Sequence, residues 1–190
     1  MEALLFSTGV VALAEIGDKT QLLAFILAAR FKKPLTIIAG IFCATVVNHG
    51  LAGALGAWIT SMVTPETLRW VLGLSFLGMA AWTLVPDKIE EEETQIAGKL
   101  GVFGATLVTF FLAEMGDKTQ IATVALAAKY SNPLLVVIGT TLGMLIADVP
   151  AVFVGDRFAA KIHLKLVHGI AAAMFAVMGV LALLNVGNML

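Results

Sequence analysis

Charge is scarce in this sequence. Only 13% of its 190 residues are charged and 59% are hydrophobic, whereas a soluble domain carries about 25% charged residues. There is no long basic run, and a formal net charge of -1 leaves nucleic acid nothing to hold. The single cysteine, Cys43, excludes an internal disulfide, and its apolar surroundings predict a buried thiol acting as a small hydrophobe. A secretory leader would begin with a basic region. Here MEALLFSTGVVALAE begins with Glu2 and runs straight into Glu15, so the stretch reads as a retained first span.

What is present is long apolar sequence. The mean hydropathy is +0.97, and six stretches stand out: about 3 to 29, 34 to 59, 68 to 85, 100 to 128, 133 to 154 and 164 to 187. Each is close to the roughly 20 residues that cross a bilayer. The fold class expected is therefore an all-α membrane protein of six transmembrane helices, with the lipid bilayer as its surroundings. Pro34 and Pro133 stand where helices would begin, a position that tolerates a missing N–H and a fixed φ. Loops one, three and five hold eight Lys and Arg against two on the other side. That bias puts these loops in the cytoplasm and both termini outside it. The EEEE run, Glu90 to Glu93, reads as a solvated linker.

The stretch LAEIGDKTQ, Leu13 to Gln21, returns as LAEMGDKTQ, Leu112 to Gln120, 99 residues later. Without gaps, residues 13 to 56 and 112 to 155 share 16 of 44 positions, which marks an internal duplication. The division is 1–85 and 100–190 as two three-helix repeats joined by the acidic linker 86–99. An odd number of spans makes the second repeat enter the membrane from the opposite side. Such inverted repeats recur in secondary transporters, with the site at the midplane between them.

On a continuous helix Glu15, Asp18 and Gln21 fall in one row, and Glu114, Asp117 and Gln120 repeat it. A carboxylate at bilayer depth faces water, a counter-charge or an ion rather than lipid. Four carboxylates against Lys19 and Lys118 leave a formal -2, which one divalent cation neutralises. Oxygen ligands suit hard ions such as Mn²⁺, Ca²⁺ and Mg²⁺. Neither motif holds the Cys or His that Zn²⁺ or Cu⁺ sites favour. Gly17 and Gly116 would let the helix kink and free carbonyl oxygens. Two blander readings stand beside this one: Lys19 and Lys118 pairing with Glu15 and Glu114 at i, i+4 as a staple, and Thr20 and Thr119 bonding back to their own helix.

Asp148 lies in an apolar run and corresponds by the 99-residue displacement to His49. Their mismatch suits proton coupling or one-sided gating, while Asn48 and His49 are equally explained by interhelical hydrogen bonds. His168 and Asn185 read as packing or interfacial residues, and Gly139 with Gly143 as a GxxxG packing face. Trp58, Trp70 and Trp82 mark span ends.

The doubled E-x-G-D-K-T resembles the motif E-x-G-D-[KR]-[ST] of a family of small membrane proteins. That family includes the Golgi calcium/manganese transporters of yeast and humans and the bacterial MneA-type manganese exporters. Both copies match, and the resemblance covers nearly the whole chain. It implies divalent cation antiport with protons as counter-ion and the motif acids as metal ligands; Gln21 and Gln120 are expected to complete the shell, and no cofactor is expected. The compact length is similar to the bacterial members, implying Mn²⁺ export across the inner membrane with Ca²⁺ as the close competitor; self-association into a homo-oligomer is left open. Two other classes fit part of the pattern. Gly-Asp twice in a membrane is shared with intramembrane aspartyl proteases, whose dyad needs neither the adjacent lysines nor the preceding glutamates. A non-transporting assembly subunit would use the motifs to hold a partner.

Overall fold

The computed structural model describes residues 1–85, 100–154 and 164–185. The acidic linker and most of the fifth loop, with the charges assigned to them, lie outside the described residues. Among the described residues there are eight helices: α1 (Glu2–Glu15), α2 (Lys19–Phe31), α3 (Pro34–Met62), α4 (Pro65–Thr83), α5 (Val102–Glu114), α6 (Lys118–Lys129), α7 (Pro133–Val154) and α8 (Leu164–Leu183).

The helix starts follow local chemistry. Pro34, Pro65 and Pro133 open α3, α4 and α7, where the missing N–H is one of the unpaired donors in any case. Thr64 caps α4 by accepting from Thr67 N, and the Asn132 side chain accepts from Leu135 N to cap α7. Pro150 lies inside α7; it leaves the Ile146 carbonyl without its helical donor, which membrane helices tolerate.

Three helices are single, long and apolar enough to cross a membrane: 34–62, 133–153 and 165–183. The expected first and fourth spans are each broken at the motif, into α1 with α2 and α5 with α6. At 1.5 Å per residue each half-helix is about 20 Å long, too short for a hydrocarbon core of about 30 Å.

The halves interdigitate. α1 packs on α7, and the corresponding α5 packs on α3. Gly139 and Gly143 lie against Leu4 to Ser7 and Thr8 to Ala12, so α1 and α7 run side by side in one direction with backbones in close approach. The GxxxG thus serves packing, as its spacing suggests. In the same way Gly40 lies against Thr106 while Asn48 bonds the Phe111 carbonyl, so α3 and α5 also run in one direction. α4 and α8 pair in opposite directions, with Phe76 and Phe175 stacked at 6.5 Å. One apolar cluster gathers Val10, Ala14, Phe76, Met79 and Phe175; another gathers Leu23, Leu27, Ile37, Ile41 and Phe110. Leu51, Trp58, Trp70 and Leu74 are among the many exposed large apolar side chains, a surface suited to lipid rather than water. Cys43 is half-buried, less enclosed than its surroundings predict.

Candidate metal centre

The motif does not lie on one helix face. α1 ends at Glu15 and α5 at Glu114, and the chain turns through Gly17 (φ 85) and Gly116 (φ 78) before the next helix begins. Positive φ is open to glycine without the penalty a Cβ brings, and it stops the helix that the i, i+3 reading assumed. Asp18 and Asp117 become the N-caps of α2 and α6 in extended backbone. The acids therefore meet across two turns. At each turn one half-helix ends in carbonyl groups and the next begins in N–H groups.

Glu15, Glu114 and Asp117 each contribute a carboxylate oxygen to a group within 4.8 Å of one another, and all three are buried. Glu15 ends α1 while Glu114 and Asp117 flank the second break, so the group is assembled from both repeats. Asp18, equally buried, stands outside it: Oδ1 accepts from Lys19 N at 2.7 Å and Oδ2 pairs with Lys118 Nζ at 2.7 Å. Lys19 Nζ lies 3.6 Å from Asp117 Oδ1. The lysines thus cross to the opposite repeat's aspartate, because the helix break carries Lys19 and Lys118 away from the i, i+4 glutamates.

Thr20 donates to Glu15 Oε2 at 2.7 Å and Thr119 to Glu114 Oε2 at 2.9 Å. Back-bonding to the helix does not occur here: both threonines sit in a first turn, and the residue four earlier precedes the helix. Each glutamate keeps Oε1 without a hydrogen-bond partner among the described residues. Gln21 and Gln120 brace the turns, their Oε1 accepting from Gly17 N at 3.0 Å and Gly116 N at 2.7 Å; Gln21 Nε2 also donates to the Ala147 carbonyl.

Asp148 is fully buried beside that anchor and within electrostatic reach of Glu15 and Glu114. Its two oxygens, like both ring nitrogens of the fully buried His49, have no hydrogen-bond partner among the described residues. The interhelical bond open to His49 is therefore not made, whereas Asn48 donates to Phe111 O at 3.1 Å. His168, read from sequence as packing or interfacial, instead reaches the turn: its Nε2 is 3.1 Å from the Ile16 carbonyl. A carbonyl only accepts, so Nε2 carries the hydrogen. No sequence signal pointed to that contact, which depends on how α8 docks. Asn185 lies past the end of α8 with φ 53.

Chemically, the arrangement is an oxygen-rich, buried centre of four carboxyl groups with two tethered ammonium groups. Hard cations fit such donors.

A family model described as divalent cation/proton antiporter GDT1 matches twice, over residues 3–91 and 102–190, at the displacement of the internal repeat. A Vibrio cholerae protein named "Putative manganese exporter" is 50% identical over 179 residues, covering 94% of this chain and 88% of its own. GDT1-like protein 4 of Oryza sativa subsp. japonica is 30% identical over 200 residues, 92% of this chain and 70% of its own. GDT1-like protein 5 of Arabidopsis thaliana is 27% identical over 216 residues, covering 94% of each. No solved structure matches the chain.

Proposed function

The chain belongs to the GDT1 family of divalent cation/proton antiporters, and from that premise we propose that it exports Mn²⁺ from the cytoplasm in exchange for protons. The observation that carries this reading is the buried Glu15, Glu114 and Asp117 group, whose oxygens come from both repeats. The 50% identical Vibrio cholerae relative favours Mn²⁺ as the cargo. Ca²⁺ is the second reading, since every donor is an oxygen and both ions accept the same set.

In this proposal the protein sits in the bacterial inner membrane as six spans, 1–85 and 100–190 forming inverted repeats joined by the cytoplasmic linker 86–99, with both termini periplasmic. Two features support the inversion: α1 runs with α7 and α5 runs with α3, the directions that a two-fold axis in the membrane plane produces. The half-helices bring the motif turns near mid-bilayer. Glu15, Glu114 and Asp117 take the ion from the cytoplasm, and Asp18 joins them when Lys118 releases it. The repeats then rock, and protons entering from outside displace the ion. Thr20 and Thr119 aim the glutamates. Gln21 and Gln120 reach the ion only by letting go of the Gly17 and Gly116 N–H groups. Asp148 adds a fifth carboxylate where the first repeat has His49, which makes the pathway one-sided.

The test is reconstitution in liposomes, following Mn²⁺, Ca²⁺ and a pH dye, with the Asp18→Asn/Asp117→Asn double variant as control. Mn²⁺ flux with opposing proton movement, lost in the variant, is the expected result. Equal flux from a well-folded double variant would sink the ligand assignment. Faster Ca²⁺ than Mn²⁺ movement would select the second reading.

A further inference from the structure

Each lysine follows one aspartate in sequence and binds the other in space. Lys118 Nζ sits 2.7 Å from Asp18 Oδ2 with both side chains fully enclosed, whereas Lys19 Nζ sits 3.6 Å from Asp117 Oδ1 with 19% of its side chain exposed. The two pairs are equivalent by the repeat, yet they differ in a way that tracks the metal centre. Asp117, in the longer ion pair, is the aspartate that joins the glutamates within 4.8 Å; Asp18, in the shorter one, is outside that group. An ammonium at 2.7 Å occupies the space and supplies the charge that a cation bound to the same oxygen would.

We infer that Lys19 and Lys118 are tethered counter-cations: they hold Asp117 and Asp18 in the unloaded carrier and are displaced as the divalent cation binds. The inference rests on the antiport reading above and gives the lysines a part in its cycle. Ion and ammonium compete for one carboxylate, so the ion binds with apparent affinity reduced by the fraction of time the lysine is seated. On the return leg the lysines, together with the incoming protons, replace the lost positive charge, so that the aspartates do not face the low-dielectric interior uncompensated. The structure holds one pair at 2.7 Å and the other at 3.6 Å. These lysines are positioning residues, acting on the ion through the aspartates.

The experiment uses the full-length protein with Mn²⁺ as probe. Binding is measured in detergent by equilibrium dialysis. In liposomes, net Mn²⁺ efflux, which needs the metal-free, proton-carrying return, is compared with radiotracer exchange at equal Mn²⁺ on both sides, which needs only the Mn²⁺-loaded carrier. Lys118→Gln is expected to bind Mn²⁺ more tightly while its ratio of net efflux to exchange falls about tenfold or more; Lys118→Arg, which keeps the charge, should retain most of that ratio. Weaker binding in Lys118→Gln, or efflux and exchange falling together, would overturn the inference, since a lysine that merely holds the fold predicts both. If Lys118→Gln is not monodisperse, Lys19→Gln, at the more exposed pair, carries the same two readouts, and the same outcomes support or overturn the inference. A wild-type protein that moves no Mn²⁺ in either flux assay would defeat the antiport reading; the sign of the change in binding would still decide whether the lysines compete with the ion.

Discussion

The two copies of the motif differ by one residue in nine, Ile16 against Met115, and their local structures are nearly superposable in kind. Both turn at a glycine of positive φ, both place an aspartate before the second half-helix, both let a threonine grip the glutamate, and both close the turn with a glutamine. Their surroundings differ. The first turn is half-buried, and His168 of α8 holds the Ile16 carbonyl. In the second turn Met115 and Gly116 are exposed, and the residue equivalent to His168 is Arg69, which lies over Trp70 instead. Asp18 caps its helix through Oδ1, while Asp117 makes no side-chain cap bond. The lesson is that the bonds spanning four or five residues were duplicated with the sequence, as was the crossing of each lysine to the other aspartate, whereas the cap bond and the cover of each turn diverged.

The sharpest break of that comparison comes from the glutamates. Glu15→Gln and Glu114→Gln should each lower Mn²⁺ flux about 100-fold or more, since removing one partner of a buried charge pair costs about 2–5 kcal/mol. Because one centre uses both, the two losses should match in liposome transport; a variant of either copy that keeps wild-type flux would mean two independent sites. Thr20→Val and Thr119→Val come next. Each leaves a buried carboxylate oxygen without its donor, at about 1–3 kcal/mol, and each should weaken Mn²⁺ binding about tenfold in dialysis, again equally. His168→Ala should break the symmetry: loss of one hydrogen bond of about 1 kcal/mol lowers Tm by a few degrees and raises hydrogen exchange around Ile16 and Gly17. Arg69→Ala should leave exchange around Met115 and Gly116 as it was, and equal effects at the two turns would show that the difference in their covers has no energetic weight.

Much of the centre was legible beforehand because its information is repeated. A greasy chain that spends Glu15, Asp18, Glu114 and Asp117 in the same nine-residue context twice marks acids that need shelter from lipid, and the structure gathers Glu15, Glu114 and Asp117 while leaving Asp18 on Lys118. The Thr and Gln roles were read less well. Helical periodicity put Glu15, Asp18 and Gln21 in one row, and the backbone instead turned at Gly17; from there Thr20 faces Glu15 and Gln21 faces the Gly17 N–H. The signal was present in the glycine, whose tolerance of positive φ allows a break as well as a kink. The lysine exchange was not legible, since a four-carbon side chain at the start of a half-helix can reach forward, back or across, and local sequence is the same for all three.

By itself, the sequence determined the helical and apolar character of the chain, its internal duplication, and the clustering of oxygen-bearing side chains within each copy, because these follow from composition, period and copying. Tertiary structure alone decided which oxygens share one space, which lysine holds which aspartate, and which turn is covered. Those outcomes depend on α1 lying along α7 and α5 along α3, and contacts between residues about a hundred positions apart are set by how helix surfaces fit rather than by any nearby residue.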